Sequence, residues 1–476
     1  MRRLMPFFAG ITFLFFFQQC IYAQVGIGTT SPHPSSILDI TSDSQGVLTP
    51  RMTTAQRTGI ASPAEGLLVF DTDDDAFYYF DSAVWVKLEG SVTRDNYKLV
   101  KSVADLADEL VGGKYVLNED YLYEINGTVI FDFPIDLNGA NLIGEDTGED
   151  ILVNGTGGAL FSGNKGGRMK DLLINGNGQQ VFDITGTGVE NVICYSVVIT
   201  SASSIGTLSD LGVVFFSVLQ IVGSDDGLAV SNVNSFFVQN IFWTNNTGTC
   251  LTLSGTFGNL QIANGRIVVE GGDIGIDVSA DPIITLSASL TGVNISGAGD
   301  HVKGYVGGTY PGYNFTTDWD VNCPGIPVET DGVATGDINF ESPVGSGTSI
   351  SFTGTGTSSR KKITGTTDSN SLFRFTKDGS NKIIYEGKKT RYFGITASLS
   401  FQGDSNRTIF IFYLAKNGTV IEQTKVYREN GENDDVGAAA VVGTVELSPG
   451  DYVEVWAERF SGGGGLLMVS MNLIAR

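Results

Sequence analysis

The sequence holds few of the residues from which metal centres and catalytic triads are built. Its two histidines, His33 and His301, lie far apart in the chain. Beyond residue 23 there are three cysteines, Cys194, Cys250 and Cys323, and no two of them have the short spacing of a zinc site. The pattern predicts one disulfide at most and argues against a His-based metal site or a Ser-His-Asp triad. Carboxylate chemistry remains open.

Basic residues are scarce as well. The chain carries 29 lysines and arginines against 52 aspartates and glutamates, a formal net charge of −23. Such a chain repels nucleic acid and anionic lipid, so neither is expected as a partner. The acidity itself keeps a protein soluble and says little about its fold.

Long apolar runs are absent except at the start. Arg2 and Arg3 precede an apolar run from Phe7 to Phe17, and a small residue, Ala23, follows. This is the layout of a cleavable signal peptide, and the run is shorter than the roughly 20 residues that span a bilayer. We therefore expect residues 1–23 to be removed and the protein to be secreted or held at the cell surface, without a transmembrane segment. Periplasmic retention, a membrane anchor and lipoprotein processing at Cys20 are the alternatives.

Residues 24–90 contain two alternating apolar stretches, Gly66–Asp71 and Phe77–Leu88, which predict a small β-rich module. With the phrases Gly26-Ile-Gly-Thr-Thr-Ser-Pro32 and Leu48-Thr-Pro-Arg-Met-Thr-Thr54, the segment resembles an N-terminal module of secreted Bacteroidetes proteins and phage tail-fibre proteins. No cofactor is predicted. Calcium at Asp73, Asp74 and Asp75 is the alternative to a solvated turn.

Residues 100–310 begin with a short predicted helix at Ser102–Leu110 and continue as a series of short apolar strands separated by Asn, Gly, Asp and Thr. The phrase "apolar-x-apolar-Asn-Gly" returns every 20 to 30 residues, as at Leu172–Gly176 and Leu260–Gly265. This predicts a right-handed parallel β-helix of about seven or eight coils with Asn and Gly at its corners. The segment resembles pectate-lyase-like and tailspike helices. A β-sandwich is the structural alternative.

Residues 311–367 are rich in Gly, Ser and Thr, which predicts a linker or a neck ordered by neighbouring subunits. Residues 368–476 alternate as strands joined by tight turns such as Asn417-Gly418 and Pro449-Gly450, which predicts an antiparallel jelly-roll sandwich. The motifs Lys416-Asn-Gly418 and Leu447-Ser-Pro-Gly-Asp-Tyr-Val-Glu-Val455 resemble C1q/TNF-like heads. That resemblance implies a homotrimer. Alternation leaves both faces of Thr408–Lys416 apolar, so we expect these aromatic residues to form the subunit seam: Phe410, Phe412, Tyr413, Tyr452 and Trp456.

Residues that could carry chemistry are few. A β-helical polysaccharide lyase or hydrolase needs paired carboxylates or a basic group, and the weak catalytic candidates are Asp225, Asp226, Asp273, Asp277 and Arg266. Turn capping is the favoured interpretation of these aspartates. Trp243 with Asn245 and Asn246 combines an aromatic face with amides, as a sugar site does, although a buried tryptophan fits the pattern too.

Three functions fit the sequence. The first is an exported, trimeric, fibre-like adhesin that binds a glycan or another cell-surface ligand through head and shaft, by avidity and without catalysis. The second is a β-helical polysaccharide lyase or hydrolase that its jelly roll trimerises. The third is a structural subunit of an extracellular matrix or appendage.

Overall fold

The structure is a computed structural model that describes residues 24–88, 95–379 and 381–476. The predicted signal peptide lies outside these residues. Within them, no helix is long and apolar enough to cross a membrane. The described residues form two compact units, which divide between residues 94 and 95. Strands dominate both, so the predicted all-β class is confirmed.

The N-terminal unit contains a parallel strand pair and a four-stranded sheet. A short helix, α1 (Thr54–Thr58), is capped by a reciprocal pair of hydrogen bonds between Thr53 and Gln56. Arg57 of this helix forms a buried ion pair with Asp71 at 2.7 Å, which fixes the helix to the sheet. The strands are β1 (Val25–Ile27), β2 (Leu38–Ile40), β3 (Arg51–Met52), β4 (Leu68–Asp71), β5 (Ala76–Phe80) and β6 (Trp85–Lys87).

The second unit begins with a parallel β-helix of about nine turns, which we call the shaft. Its fold class agrees with the prediction, although the coils are slightly more numerous. Its strands are β7 (Tyr97–Val100), β8 (Leu110–Val111), β9 (Lys114–Val116), β10 (Leu122–Ile125), β11 (Thr128–Phe131), β12 (Ile135–Asp136), β13 (Asn141–Ile143), β14 (Ile151–Asn154), β15 (Phe161–Gly163), β16 (Gly167–Asn175), β17 (Gln180–Thr185), β18 (Asn191–Thr200), β19 (Ser204–Phe216), β20 (Leu219–Val222), β21 (Leu228–Thr244), β22 (Thr249–Val269), β23 (Ile274–Asp277), β24 (Ile283–Gly297), β25 (Asp300–Lys303) and β26 (Trp319–Asn322).

One coil shows how the shaft is built. Residues 191–195, 197–200 and 204–209 form its first, second and third walls, and each wall pairs in parallel with the same wall of the next coil. Positive φ angles at Ser196, Ser201 and Asp210 turn the chain at the corners. In later coils the corner between the first and second walls has Asn240, then Asn264. Asn and Asp tolerate this left-handed conformation, which is why the sequence repeats them between apolar strands.

The predicted helix at Ser102–Leu110 is instead a 3-10 helix, Val103–Glu109, that is kinked at Leu106. Leu110 and Val111 leave the helix to pair with β9, so a regular α-helix cannot extend that far. Leu106 is buried in the same apolar cluster as the interior of the shaft. The segment therefore covers the first coil with one side chain.

The C-terminal head is a sandwich of two antiparallel sheets around a second apolar cluster. The strands are β27 (Thr335–Glu341), β28 (Thr348–Ile350), β29 (Lys361–Lys362), β30 (Leu372–Phe373), β31 (Phe375–Asp378), β32 (Lys382–Tyr385), β33 (Arg391–Gly403), β34 (Thr408–Lys416), β35 (Thr419–Val420), β36 (Val426–Asn430), β37 (Val436–Leu447), β38 (Tyr452–Ser461) and β39 (Leu466–Ala475). One sheet has the order β30-β27-β39-β33-β37, with β28 paired to β39. The other has the order β31-β32-β38-β34-β35, with β29 paired to β38 and β36 paired to β34. Three further 3-10 helices are Asp331–Val333, Gly356–Ser359 and Glu422–Thr424.

Residues 311–367 differ from the predicted linker or neck. β26 belongs to the shaft, while β27, β28 and β29 pair with β39 and β38 of the head. The glycine-rich stretch is therefore ordered by strands of its own chain that lie about a hundred residues further on. Its composition concealed this, because the pairing is entirely non-local.

The joint between shaft and head, defined by Trp319, Glu329, Asp331, Phe373 and Arg374, is held by a buried arginine. The Arg374 guanidinium pairs with Asp331 and donates to the carbonyl of Glu329 at 3.1 Å. Asp331 also accepts hydrogen bonds from the backbone amides of Lys388 and Lys389, at 2.9 and 3.0 Å. The Phe373 ring stacks on Tyr313 with 3.8 Å between centroids.

Candidate functional site

The third wall of the shaft presents a polar outer face. Its inward side chains are apolar, whereas its outward side chains are mostly hydroxyls and carboxylates, since strand side chains alternate between faces. This face carries the groups that hydrogen-bond sugar hydroxyls. From coil to coil the outward residues include Asp136, Ser162, Asp183, Thr207, Ala229, Thr252, Asp277 and Lys303.

A depression of about 480 Å³ lies near the beginning of this face. We call it the third-wall depression, and its lining residues are Lys114, Asp136, Ser162, Gly163, Asn164, Asp183 and Thr185. They come from four successive coils, each separated from the next by more than 15 residues of sequence. The parallel register stacks them.

The third-wall depression contains two carboxylates and a lysine. Ser162 pairs with Asp183 on the next coil, and Asp136 precedes Ser162 by one coil. Adjacent strands lie about 4.8 Å apart, so roughly 10 Å separates the two aspartate Cα atoms. Lys114 lies across the floor, with Nζ 3.1 Å from the carbonyl oxygen of Ser162 and 3.2 Å from its Oγ.

Gly163 makes room for the Asp136 side chain. A Cβ atom at this glycine would lie 2.4 Å from Oδ1 of Asp136, closer than any van der Waals contact permits. The same Oδ1 accepts from the backbone N–H of Asn138 at 3.1 Å, so one carboxylate oxygen is oriented by the turn. The residue as a whole lines the depression.

A second depression, of about 570 Å³, lies by the first coil and includes Lys98, Glu109, Glu119, Tyr121 and Tyr123. Lys98 Nζ is 2.7 Å from Glu109, and the Tyr123 hydroxyl donates to the same carboxylate at 3.0 Å. Burial, together with this carboxylate, raises the pKa of Tyr123 to about 12. The phenol of Tyr123 therefore remains a hydrogen-bond donor throughout the neutral pH range. Its hydrogen bond to Glu109 has a structural role.

The four predicted catalytic aspartates do not form a pair of free acids. Asp226 accepts from the amide of Thr249, and Asp273 accepts from the amide of Gly248, so both cap one corner of the shaft. Asp277 accepts from Ser279 and pairs with Lys303 at 3.0 Å. Asp225 is exposed at the same corner as Asp226.

Arg266 lies elsewhere. It projects from the second wall between Phe242 and Asn294, whereas the aspartates lie at a corner and on the third wall. The structure therefore does not bring this arginine to the acids. Asp225, Asp226 and Asp273 lie close together in the fold because corners favour aspartate, whose short side chain accepts hydrogen bonds from nearby backbone amides.

The predicted sugar-stacking residues need correction. Trp243 has 0% exposure and packs inside the shaft, because its strand alternates and Phe242 takes the outward position. Asn246 is buried, accepts from the amide of Ser224 at 2.8 Å and donates to the carbonyl of Ile221 at 2.9 Å. Asn245 has a positive φ and turns the corner. These residues stabilise a turn and present no aromatic face to a ligand.

The predicted subunit seam in the head also needs correction. Phe410 and Phe412 belong to the apolar core between the two sheets. Tyr413, on the opposite face, is covered by Arg360, whose guanidinium lies 4.7 Å from the ring centroid, and it donates to Glu458 at 2.8 Å. Both faces of this strand are thus covered by the same chain, through the segment that had been predicted as a neck.

Tyr452 and Trp456 are partly buried on the outer face of β38. The Lys382 ammonium lies 4.4 Å from the Tyr452 ring, and the Trp456 indole donates to Glu454 at 2.9 Å. Both rings therefore have polar contacts within their own chain, and their place in a subunit seam stays a prediction.

Two of the three adjacent aspartates of the N-terminal unit are engaged by protein groups, and the third, Asp75, is exposed in the turn with a φ of +49°. Asp73 accepts from the amide of Thr54 at 3.0 Å, and Asp74 pairs with Lys87 at 2.9 Å. Among the described residues, no cluster of three or more His, Cys, Asp or Glu could hold a metal ion. The same residues show Cys194, Cys250 and Cys323 as buried free thiols.

Sequence reasoning missed Lys114, Asp136 and Asp183. It looked for acids close together in the chain, whereas a β-helix brings together residues one coil apart. The sequence signal that could have found the two aspartates is strand alternation. Asp136 follows the buried Ile135, and Asp183 follows the buried Phe182, so both aspartates occupy outward positions.

With the fold and the site described, the chain can be compared with known proteins. Residues 26–101 match the family described as "Phage tail like trimerisation region". The span covers most of the N-terminal unit and ends just after β7, the first strand of the shaft. No curated protein matches the chain.

Two solved structures are similar at low scores. The enzymatically active domain of tailspike protein 4 from bacteriophage CBA120 is 11% identical, with 90% of this chain and 77% of that chain covered and a TM-score of 0.20. Tailspike protein gp49 from Acinetobacter baumannii bacteriophage Fri1, a capsular polysaccharide depolymerase, is 8% identical, with 88% and 100% covered and a TM-score of 0.17. At these TM-scores neither structure adds to the description of the fold.

Proposed function

We propose that this protein is an exported, homotrimeric, fibre-like protein that binds a glycan along the third wall of its shaft. The observation that carries the proposal is the match of residues 26–101 to a phage tail like trimerisation region. That span includes β7, which pairs with β10 in the first coil. Trimerisation there would start three shafts at the same level.

The third wall supplies the binding surface in this proposal. Its hydroxyls and carboxylates face outward over many coils, and the third-wall depression, at about 480 Å³, is large enough to hold a sugar unit. A single polar site of this kind binds weakly, because each hydrogen bond to a sugar replaces one to water. Three parallel copies would raise the apparent affinity through avidity.

The head offers a second surface for subunit contact, different from the predicted aromatic seam. On the outer face of β33 and β37, neighbouring rows present Thr396, Ser398, Ala440 and Val442, with Val442 62% exposed. These side chains carry no charge in a chain of net charge −23. Copies of so acidic a protein approach each other most easily through such a face.

Light scattering on the chain from Gln24 onward tests the trimer, and a glycan array carrying bacterial and plant polysaccharides tests the ligand class. Light scattering should give a mass three times that of the chain, and Val442→Lys should weaken the trimer. On the array, Lys114→Gln should weaken glycan binding. Lys361→Gln, which changes an exposed lysine of the head, is the control and should leave binding unchanged. A monomer that binds no glycan would contradict the proposal, and an open polymer would favour a structural subunit.

A hydrolase is the second candidate, and one observation favours it. Asp136 and Asp183 flank Ser162 in one outward column, with their Cα atoms roughly 10 Å apart. Inverting glycosidases hold two carboxyl groups about 6.5–9.5 Å apart with a water between, a separation that flexible side chains on such a spacing can reach. In that mechanism one aspartate would protonate the glycosidic oxygen while the other activates water.

New reducing ends after incubation with the polysaccharides that bind the array would identify hydrolysis. Asp136→Asn and Asp183→Asn should each abolish the signal while leaving binding in place. If both variants release reducing ends at the rate of the unaltered protein, hydrolysis at this site is refuted and the binding function stands.

A further inference from the structure

A separate depression lies at the corner where the third wall turns into the first. It has a volume of about 250 Å³, and its side chains come chiefly from Asn141, Lys165, Arg168, Glu190 and Asn191. We call it the corner depression. It adjoins the third-wall depression, because Asn164 lines one and Lys165 lines the other.

Glycines form the floor of the corner depression. A Cβ atom on Gly166 would lie 1.9 Å from the carbonyl oxygen of Asn191, and one on Gly167 would lie 2.7 Å from Cβ of Leu137. No larger residue fits either position without moving the backbone. Close packing between coils therefore requires both glycines, and their backbone lines the depression beside the side chains of Lys165 and Arg168.

The cations of the corner depression are poorly neutralised. Lys165 lies 3.9 Å from Glu119, at the limit of an ion pair, with both side chains about half exposed or more. Arg168 is exposed and forms no side-chain ion pair or hydrogen bond with any residue that the structure describes. The shaft has no further lysine or arginine from Asp171 to Gly265 after Lys170, which pairs with Asp171 at 3.0 Å. Uncompensated positive charge is therefore concentrated here.

The carboxylate that lines the corner depression, Glu190, is committed to a turn. Glu190 accepts from the amide of Thr187 at 2.6 Å and from its hydroxyl at 2.7 Å. The amide hydrogen bond, aided by the hydroxyl, lowers the pKa of Glu190 to about 2. Its negative charge persists, but both oxygens already accept hydrogen bonds, so it leaves the two cations available to a ligand.

An aromatic pair continues the surface along the first wall. Arg168 is followed in the same outward column by Ile193 and then Phe215, and Tyr195 meets Phe215 edge to face at 5.5 Å between centroids. Aromatic faces pack against the apolar face of a sugar ring. A chain of sugars bound at the cations would thus meet an apolar platform next.

We propose that the corner depression is a subsite for a negatively charged sugar residue, bound through Arg168 and Lys165. It rests on the proposed glycan-binding function and narrows the ligand to an acidic glycan, whose charged group is a carboxylate or a sulfate. Arg168 supplies a planar pair of donors that matches either oxyanion, and Lys165 supplies a point charge. The acidity of the rest of the chain directs such a ligand to this corner.

Saturation-transfer NMR on the full protein with galacturonate, galactose 6-sulfate and galactose tests the subsite. We expect transfer to one or both charged sugars and little to galactose, with the stronger signal identifying carboxylate or sulfate. Arg168→Gln should weaken the charged sugar by about tenfold, the loss of one charge-assisted hydrogen bond. Arg266→Gln, an exposed arginine on the second wall, is the matched control and should change nothing.

Two results would overturn the subsite. One is equal transfer to galactose and the charged sugars, and the other is an Arg168→Gln variant that binds the charged sugars as the unaltered protein does. In either case, retained binding of a neutral polysaccharide on the glycan array leaves the proposed function in place. Loss of all glycan binding would instead end the proposed function itself.

Discussion

The shaft and the head bury polar groups in different ways. Buried polar side chains of the shaft, such as Asn154, Ser224 and Asn246, bond to backbone groups at its corners. The head and the joint bury charges, and Glu458 lies 2.7 Å from Arg360, its ion-pair partner about a hundred residues away. The shaft thus repeats one local solution in every coil, whereas the head depends on individual pairs that the sequence does not place together.

This contrast predicts where each region is vulnerable. A coil tolerates change at its outward positions, since only the inward column and the corners are specified. A buried charge pair tolerates no change in either partner, because the remaining charge is left without compensation in a dry site. We therefore expect the largest losses of stability at the inward column of the shaft and at the buried charges of the joint.

The interior column of the shaft should give the largest effect. Trp243→Ala removes a fully buried indole and should cost about 3–5 kcal/mol of unfolding free energy, through lost burial and the cavity left behind. The neighbouring Phe242→Ala is the matched control, because Phe242 is 40% exposed and should cost less than about 1 kcal/mol. Urea unfolding followed by circular dichroism measures both. Equal losses would show that Trp243 is not inside.

The joint should come next. Arg374→Ala leaves Asp331 buried beside two backbone amides with no cation, and we expect a loss of about 3 kcal/mol. Arg428→Ala, an exposed arginine on β36 of the head, should be nearly neutral. Calorimetry on the full chain should show the difference between the two variants. An unchanged transition in Arg374→Ala would mean that the ion pair is not required.

The sequence predicted the shaft better than the joint, for a physical reason. The corner residues Asn240 and Asn264 and the alternation around Leu172–Gly176 are local signals, and each is repeated in neighbouring coils. Arg374, Asp331 and the pairing of β27 with β39 are single, long-range events without a repeat. The same holds for the third-wall depression, because the coil lengths must be known before Asp136 and Asp183 can be placed in one column.

The corners should give a smaller effect. Asn264 adopts φ of +59°, and Asn264→Val places a β-branched residue in the left-handed region at a cost of about 1–2 kcal/mol. Asn264→Gly is the control, because glycine adopts this conformation freely and occupies the equivalent corner at Gly292. Chemical denaturation of the two variants distinguishes strain from a lost side-chain contact. If glycine costs as much as valine, the amide and not the backbone conformation stabilises this corner.

The smallest expected effect is a difference between the rates at which the thiols of the shaft and of the joint are labelled. Burial raises the pKa of the Cys194 and Cys323 thiols, so neither should react with a disulfide reagent at neutral pH in the folded protein. Cys194 lies inside the shaft, whereas Cys323 lies one residue past β26, beside the joint. In mild urea, Cys323 should therefore react before Cys194. Arg374→Ala should speed the labelling of Cys323 and leave that of Cys194 unchanged, since opening the joint does not require the coils to separate. Simultaneous labelling of both thiols would mean that shaft and joint unfold as one unit, and the difference in their buried polar groups would then have no counterpart in local stability.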